Sequence, residues 1–285
     1  MGSPRKKTLA GHDGFTLIEL IVVMLLVGIT AGTLFMILQG PMRSFVVLPQ
    51  RANLVDIAET ALQRMTREIR FALPNSVRVS GGTALEFLRT LDGGRYRAKG
   101  ANRLKFNQQA DTFEFLGPLN NWAAIGTGGT GQADCMAANS AVDCMIVFNT
   151  GQVGANAYNG DNIAAITAKT ALPPTTLSFN LSPVTRFPFP SPRQRFFVVD
   201  TPVSFICSGA QITRYADYLI QAAQPVPPAG GTANLLIDQL TACSIDYDPG
   251  TATRSGLVTI SLTIRDNTLN QQVTLMQQAH VDNQP

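Results

Sequence analysis

The chain contains 285 residues, of which 14% are charged, compared with about 25% in typical soluble domains. Its formal net charge is +3. The first 14 residues include three basic residues and one acidic residue, so the remainder carries about +1 and gives no support to a nucleic-acid-binding protein. Few charges, together with many Gly, Asn, Gln, Ser and Thr residues, favour an exported, β-rich protein that is long enough to bury a sizeable core.

Residues 15–38 form an apolar run in which Glu19 is the only charged residue. A helix of these 24 residues spans roughly 36 Å, enough to cross a hydrocarbon core of about 30 Å. Arg5, Lys6 and Lys7 precede the run, so the positive-inside rule predicts a cytoplasmic N-terminus and an exported remainder. An ordinary secretory signal has a shorter apolar core, without a carboxylate, that ends in an A-x-A-like site.

Glu19 is the residue of this run that most needs an explanation. An ionised side chain inside a membrane helix costs about 2.5–3.5 kcal/mol, so it usually has a partner or a function. Cleavage after Gly14 would give Phe15 a new α-ammonium group, which can pair with Glu19 of a neighbouring copy. A plain single-pass anchor would explain the length of the run, but neither Glu19 nor the Gly14–Phe15 junction.

Glycines and a proline mark two further points on this helix. Gly28 and Gly32 have the G-x-x-x-G spacing that lets a second helix pack closely, although small residues are common in membrane helices. Gly40 and Pro41 predict an interruption, because proline removes a backbone donor and disfavours helical geometry in the preceding residue.

A second helical pattern covers residues 49–73. Apolar residues recur there at steps of three and four, which predicts one buried helical face, and Pro74 supplies the stop. The N-terminal part therefore divides into a leader (1–14), a membrane helix (15–40) and an amphipathic helix (41–74). The predicted buried face consists of Leu54, Ile57, Ala58, Ala61, Leu62, Met65 and Ile69.

Residues 75–285 are predicted to form a β-rich head. Gly81-Gly82 and Gly93-Gly94 are predicted turns, and 257–265 alternates in hydrophobicity before a hairpin over 266–270. We therefore predict an α+β fold, with a long N-terminal helix packed on an antiparallel sheet and a second β-rich lobe. The predicted strands are 76–79, 84–89, 95–98, 104–106, 112–116, 145–148, 176–180, 195–200, 203–207, 212–214, 242–247, 257–265 and 272–281.

Four cysteines lie in the exported part and allow three disulfide pairings. We favour Cys135 with Cys144, closing a long Gly- and Ala-rich loop over 120–141, and Cys207 with Cys243, joining two strand ends. A zinc site is the alternative. It is disfavoured because the cysteines form no C-x-x-C pair and the chain has only two histidines, one of them in the leader.

The string GFTLIEL at residues 14–20, with its basic leader and following apolar run, resembles the class III signal of type IV pilins and type II secretion pseudopilins. The resemblance implies that Gly14 is the last leader residue, Phe15 the N-methylated new terminus and Glu19 the assembly carboxylate. It also implies a single-pass inner-membrane protein with a periplasmic head that later enters a pilus or pseudopilus. The implied partners are a prepilin peptidase, other major and minor pilins, and an inner-membrane assembly platform.

A narrower resemblance rests on QRANLVDIAETALQRMTREIRFALPNSVRV, GLVTISLTIRDN and the final QQAHVDNQP. These strings are similar to the MshO minor pilins of the mannose-sensitive haemagglutinin (MSHA) pilus system, which are similar to PilW proteins and J-type pseudopilins. This resemblance implies a minor pilin that assembles or primes a pilus. The alternatives are a J-type pseudopilin of type II secretion, or a pilus-tip adhesin whose ligand cleft surrounds Trp122.

Catalytic and phosphate-binding motifs are not recognisable in the chain. His280 is the only histidine outside the leader and lies in a predicted strand, so we do not expect an enzyme. The GTGGTG string at 126–131 lacks the Lys-Ser/Thr ending of a phosphate-binding loop.

No cofactor is predicted, and calcium and nucleic acid are minor alternatives. Arg193 and Arg195 beside Phe196 and Phe197 are the candidate for a nucleic-acid contact, but solvated strand-edge residues are the simpler interpretation. Oxygen ligands for calcium form no complete loop, so surface turns are favoured for Asn159, Asp161, Asn162, Asp246 and Asp248.

Overall fold

The computed structural model describes residues 15–109, 112–137, 141–172, 176–181, 187–251, 254–266 and 270–285, with the backbone alone for 39–47, 172 and 176–178. It divides into two compact units, Met1–Gln50 and Arg51–Pro285. The second unit contains two antiparallel sheets that follow a helix, which confirms the predicted α+β class.

The first helix, α1 (Leu17–Ile69), is continuous through Gly40 and Pro41, so the predicted interruption is wrong. A proline removes one N–H donor and crowds the carbonyl of the preceding turn, and a long helix can tolerate this by bending. The helix also ends before the predicted stop at Pro74. Residues 71–73 are not helical because their backbone forms hydrogen bonds with the strand that contains Thr90: the Phe71 carbonyl accepts the Thr90 N–H at 2.8 Å.

The nine-stranded sheet and the three-stranded sheet account for all strands among the described residues. The spatial order in the first is β1-β2-β3-β6-β5-β4-β7-β8-β9 and in the second β10-β11-β12. The strands are β1 (Arg78–Ser80), β2 (Ala84–Tyr96), β3 (Thr112–Leu116), β4 (Cys144–Ile146), β5 (Ile163–Leu172), β6 (Thr176–Leu181), β7 (Arg195–Ser208), β8 (Gln211–Ala216), β9 (Thr232–Ile237), β10 (Leu240–Asp248), β11 (Gly256–Arg265) and β12 (Gln272–Val281).

Part of the larger sheet closes on itself. Strand β2 pairs with both β3 and β7, so β2, β3, β6, β5, β4 and β7 form a closed ring, called here the barrel. Alternate residues point inward, as the pleat requires: Phe113 and Phe115 of β3 are buried inside and Glu114 between them is not. Aromatic rings fill the interior, with Phe113 and Phe196 edge to face at 5.6 Å.

The long β2–β7 pair corrects two predictions. Gly93 and Gly94 lie inside β2 instead of forming a turn, and the two strands expected at 195–200 and 203–207 form the single strand β7. Gly94 is required because a Cβ there would lie 2.8 Å from the ring of Phe196. A glycine pair in a strand can thus mark a close approach of a ring to the backbone instead of a turn.

Three other strand assignments differ from the sequence prediction. Strands β5 and β9 were not predicted, because β5 is rich in Ala and Thr and β9 follows a Pro-rich segment. Residues 104–106 are not a strand, and Phe106 forms only an isolated bridge with Phe187. Most of the predicted hairpin turn at 266–270 lies outside the described residues, but β11 and β12 pair antiparallel as expected.

The second half of α1 packs on both sheets. Its predicted apolar face is confirmed: Leu54, Ala58 and Ile69 are among its buried residues, and Ile57 is half-buried. The larger sheet contributes Leu85 and Phe87, and the three-stranded sheet contributes the inward residues Ile245, Val258, Ile260, Leu262 and Ile264.

Both favoured disulfide pairings are present. Cys135 of the short helix α2 (Gln132–Met136) is bonded to Cys144 of β4, with 5.7 Å between the Cα atoms. Cys207 of β7 is bonded to Cys243 of β10, with 6.4 Å between the Cα atoms. The second bond links the two sheets, next to a backbone hydrogen bond of 2.8 Å from Ile245 N–H to the Gly82 carbonyl.

Candidate functional site

The N-terminal half of α1 is a large exposed apolar surface. Leu17–Leu38 has a mean hydropathy of 2.6 over 22 residues, and none of it is buried. A core helix of a soluble protein would be mostly buried, whereas this segment has the length and composition to cross a membrane. Exposure of this kind requires a cover of lipid or of other apolar helices.

The hydroxyl groups of this segment are satisfied within the helix. Thr30 donates to the Leu26 carbonyl at 2.8 Å, and Thr33 donates to the carbonyls of Ile29 and Thr30 at 3.1 and 2.9 Å. Such back-bonding lets a threonine reside in lipid without an unpaired donor. Glu19 is different: no described residue is a hydrogen-bond or ion-pair partner of its carboxylate.

Glu19 lies in the first turn of α1. Its backbone N–H donates to the Thr16 carbonyl at 3.1 Å and reaches the Thr16 hydroxyl at 3.4 Å. Thr16 and Glu19 have the spacing of a capping box, in which a Glu or Gln supports the start of a helix. The negative charge also suits the positive end of the helix dipole. Local structure therefore explains why a Glu is tolerated here, but leaves its charge available to another chain.

The other predicted site residues of this helix lie on its open surface or outside the described residues. Gly14 lies outside the described residues, and Phe15 is exposed just before α1 begins. A Cβ built on Gly28 or Gly32 meets no atom within 4 Å. Within the described chain these glycines form open surface, so any close packing would be against another molecule.

Trp122 is half-buried and packs on the aromatic core of the barrel. Its indole stacks on Phe179 with centroids 5.7 Å apart, and the ammonium of Lys169 lies 5.5 Å from the indole centroid. Lys169 also donates to the Trp122 and Ile125 carbonyls at 2.6 and 2.8 Å. These contacts make Trp122 part of the barrel packing, which leaves little aromatic surface for a ligand.

The GTGGTG string is packed against neighbouring strands. A Cβ at Gly126 would lie 2.0 Å from the Ala141 carbonyl oxygen, and one at Gly129 would lie 2.6 Å from the Val142 and Ala165 side chains. Glycine is needed here for close packing, which is a structural role.

Two of the residues considered for calcium serve turns, whereas the expected surface turn is wrong for Asp246, which lies within β10, and for Asn162, which is buried. Asp161 accepts the Gly154 N–H at 3.0 Å, and Asp248 accepts the Gly250 N–H at 2.8 Å. The Gly250 N–H and the charge of Arg254 hold the pKa of Asp248 below its usual range. Across the described residues, no three His, Cys, Asp or Glu side chains are grouped so as to hold a metal ion.

A cavity of about 220 Å³ in the head is lined by three carboxylates, Asp143, Asp200 and Asp217. Asp143 is buried and accepts the Gly126 N–H at 2.6 Å. Burial raises the pKa of Asp143 from its usual 3.8 to about 6, with a smaller contribution from Asp200 and opposing contributions from Gly126, Lys169 and Arg89.

This raised pKa predicts a pH-dependent stability. The folded chain binds the Asp143 proton more tightly than the unfolded chain does, so the contribution of this group is largest below pH 3.8 and is lost as the pH rises through about 6. Between about pH 5 and pH 7.5 we expect the wild-type Tm to fall by about 2–4 °C. Asp143→Asn, which retains an oxygen for Gly126, should show a smaller fall in the same calorimetric scans. An equal fall in both proteins would contradict the assignment.

Two groups of charged residues were missed from the sequence. The buried carboxylate of Glu86 pairs with Arg78, its cross-strand neighbour, and the sequence separation of eight gives no direct signal for this pair. The second group is the basic segment 95–105, which contains five cations and no acidic residue. Its position opposite Arg195 depends on strand register.

Comparison with known proteins bears on the apolar helix. A family model described as the prokaryotic N-terminal methylation motif matches residues 10–35. This motif is a type IV pilin-like prepilin signal, and it supports a protein that a prepilin peptidase processes and that associates with pilus components. Together with the exposed apolar helix it is consistent with a single-pass inner-membrane anchor. Neither the curated proteins nor the solved structures include a significant match.

Proposed function

We propose that this chain is a non-catalytic minor pilin that is cleaved after Gly14 and packs by its apolar helix into a type IV pilus or the structure that primes one. The observation that carries the proposal is the apolar helix of residues 17–38, fully exposed and immediately preceded by the Gly14–Phe15 junction of the methylation motif. Only lipid, before assembly, and other pilin helices, after it, provide a matching apolar cover.

Glu19 is proposed to direct this packing. Cleavage places a positive α-amino group on Phe15, and Glu19 of an adjoining subunit has no competing partner among the described residues. An ion pair in an apolar environment favours one axial offset between neighbouring helices, because either charge alone is costly there. Gly28 and Gly32 would allow helices to approach closely next to this pair.

The finer assignment to the MSHA type rests on the resemblance of residues 50–79 and of the last two strands to MshO proteins. The head spans 235 residues from Arg51 to Pro285, and part of its larger sheet closes into the barrel. A large head favours a rare or terminal position in the fibre. A J-type pseudopilin of a secretion system remains the competing role. Co-purification from the native host would distinguish the two roles, because a minor pilin should be recovered with pilus subunits and a J-type pseudopilin with other secretion pseudopilins.

Processing provides the direct test. When the chain is expressed with a prepilin peptidase, mass spectrometry should show a protein that begins at an N-methylated Phe15. Gly14→Val should remain uncleaved, because a branched side chain at the cut site obstructs close approach of the protease. Gly32→Val is a matched control within the helix and should be cleaved normally. Recovery of the wild-type protein with its start intact, or cut elsewhere, would overturn the proposal.

A further inference from the structure

One end of the barrel carries a concentrated positive charge. Five cations lie within residues 95–105 without a single acidic residue among them, although residues 15–285 as a whole carry only about +1. The segment begins at the end of β2 and folds back on itself, with the Leu104 N–H donating to the Arg97 carbonyl at 3.3 Å. The basic segment consists of Arg95, Arg97, Lys99, Arg103 and Lys105, and all five side chains are exposed.

Strand pairing adds more positive charge at the same place. Arg195 of β7 is the Cα partner of Arg95 on β2, and Arg193 precedes it by two residues. Like charges directly opposite each other on neighbouring strands are destabilising. Arg95 and Arg195 therefore do not stabilise each other, and the one carboxylate within ion-pair distance of them among the described residues is that of Asp282, 3.6 Å from Arg195 and 63% exposed, so an external anion would be a further partner.

Little of this charge is neutralised by the chain. Arg97 pairs with Glu114 at 3.3 Å, and Arg195 lies 3.6 Å from Asp282. Among the described residues, no carboxylate lies within ion-pair distance of the remaining cations, which are Arg95, Lys99, Arg103, Lys105 and Arg193.

Two cavities adjoin this surface. One, of about 440 Å³, is lined by Arg95, Arg195 and Phe71, and the other, of about 320 Å³, is lined by Arg103 and Lys105. The carboxylate of Asp92 also lines the larger cavity, where it accepts two backbone N–H groups at 2.7 and 2.6 Å. They lie on either side of the rung where the Tyr96 N–H donates to the Gln194 carbonyl at 2.9 Å. Both volumes are within the range of small-molecule sites, and each cavity is lined by two cations.

The lining of the larger cavity indicates which anion would fit. Phe71 is 58% exposed, and Gly93 and Gly94 leave bare backbone beside it, which suits the apolar face of a sugar ring. Asn120 supplies an amide group for hydroxyls, whereas the amide nitrogen of Asn121 already donates to the Leu91 carbonyl at 2.6 Å. We propose that this surface binds an acidic polysaccharide, with carboxylates on the arginines and a sugar ring against Phe71. Single-stranded nucleic acid is the poorer fit, because Phe71 is the only exposed aromatic side chain lining either cavity and successive bases need several platforms.

The test uses the full chain in detergent and a fluorescent oligogalacturonate, with binding followed by anisotropy. Its methyl ester is the matched probe, because it has the same sugar backbone without the charges. We expect saturable, salt-sensitive binding of the acid and at least about tenfold weaker binding of the ester. Arg95→Gln should weaken binding of the acid about tenfold, since it removes one charge-assisted contact. Phe71→Ser, an exposed position, should weaken binding without changing its salt dependence.

Arg254→Gln is the control variant, because it removes the same charge from an exposed loop of the other sheet and should bind as the wild type does. Far-UV circular dichroism and the emission of Trp122 verify that each variant is folded. Equal binding of acid and ester, unchanged binding by Arg95→Gln, or tighter binding of single-stranded DNA than of the acid would each overturn the proposal. The assay does not involve filaments, so its outcome is independent of the proposed role in assembly.

Discussion

Glu19→Val is expected to leave the chain inserted and cleaved, but to lower its recovery in assembled filaments by about 100-fold or more. The variant removes the only charge of residues 17–38 and makes that segment more apolar, so insertion is not impaired. The loss arises in the assembly, where the α-ammonium of a neighbouring Phe15 would be left without a partner among apolar helices. Leaving one member of a buried ion pair typically costs about 3–5 kcal/mol. Sheared filaments and membranes from the same cells, compared by immunoblotting, measure the effect.

Glu19→Gln separates the ion pair from the local role of this residue. Glutamine can occupy the same position of a capping box, so the start of α1 next to Thr16 is preserved and only the charge is lost. If the charge directs assembly, the Gln variant should be nearly as deficient as the Val variant. If the Gln variant enters filaments at the same level as the wild type, Glu19 serves the helix terminus and the pairing argument is wrong.

The helices were predictable because their signals are local. The apolar run, the charge in its first turn and the stripe from Leu54 to Ile69 each depend on residues within a few turns of one another. Helix continuity through Pro41 was not predictable from the local rule, because one lost hydrogen bond is small against the many other bonds of a 53-residue helix.

The barrel was not predictable, because ring closure depends on contacts between distant segments. The closing contact joins Arg95 and Tyr96 of β2 to Leu116 and Phe115 of β3, and nothing in the local pattern of either strand specifies it. The Gly93-Gly94 pair is informative in retrospect. In the sequence it is a turn signal, and only the ring of Phe196, about 100 residues later, explains why glycine occupies a strand.

The same distinction applies to the candidate sites. Gly14, Phe15 and Glu19 could be proposed from the sequence because they lie within a short linear motif. The cationic surface could be identified only in part, because Arg95 and Arg195 are neighbours through strand register and not through the sequence. A surface assembled from distant strands can be predicted only when the strand register is known. A linear motif within one extended or helical segment can be recognised without it.

Arg78→Met is expected to destabilise the head by about 3–5 kcal/mol. Glu86 is fully buried, and its carboxylate accepts from the guanidinium of Arg78 at 3.0 and 3.3 Å. Arg78 also donates to the Gln221 and Ala222 carbonyls and lies 3.7 Å from the ring centroid of Tyr158. Burial raises the pKa of Glu86 and Arg78 opposes that rise, so removing Arg78 leaves a buried carboxylate without its counter-ion.

The double variant Arg78→Met/Glu86→Leu should regain at least half of the lost stability, because it removes the unpaired charge together with its partner. Urea unfolding of the full chain, followed by the single tryptophan and by circular dichroism, measures both variants. Arg64 provides the control: its side chain is 51% exposed and its partner Glu68 keeps a second cation, Arg214, so Arg64→Met should cost less than about 1 kcal/mol.

The loss in the Arg78→Met single variant should also depend on pH. The folded pKa of Glu86 is raised above its unfolded value, so this group disfavours folding as the pH rises through the folded pKa, and without Arg78 that pKa rises further. The variant should therefore lose less stability at about pH 4, where Glu86 is protonated, than at about pH 7.5. A loss that is equal at both pH values and persists undiminished in the double variant would mean that Arg78 acts through its packing on Tyr158 and its carbonyl contacts, and not as the counter-ion of Glu86.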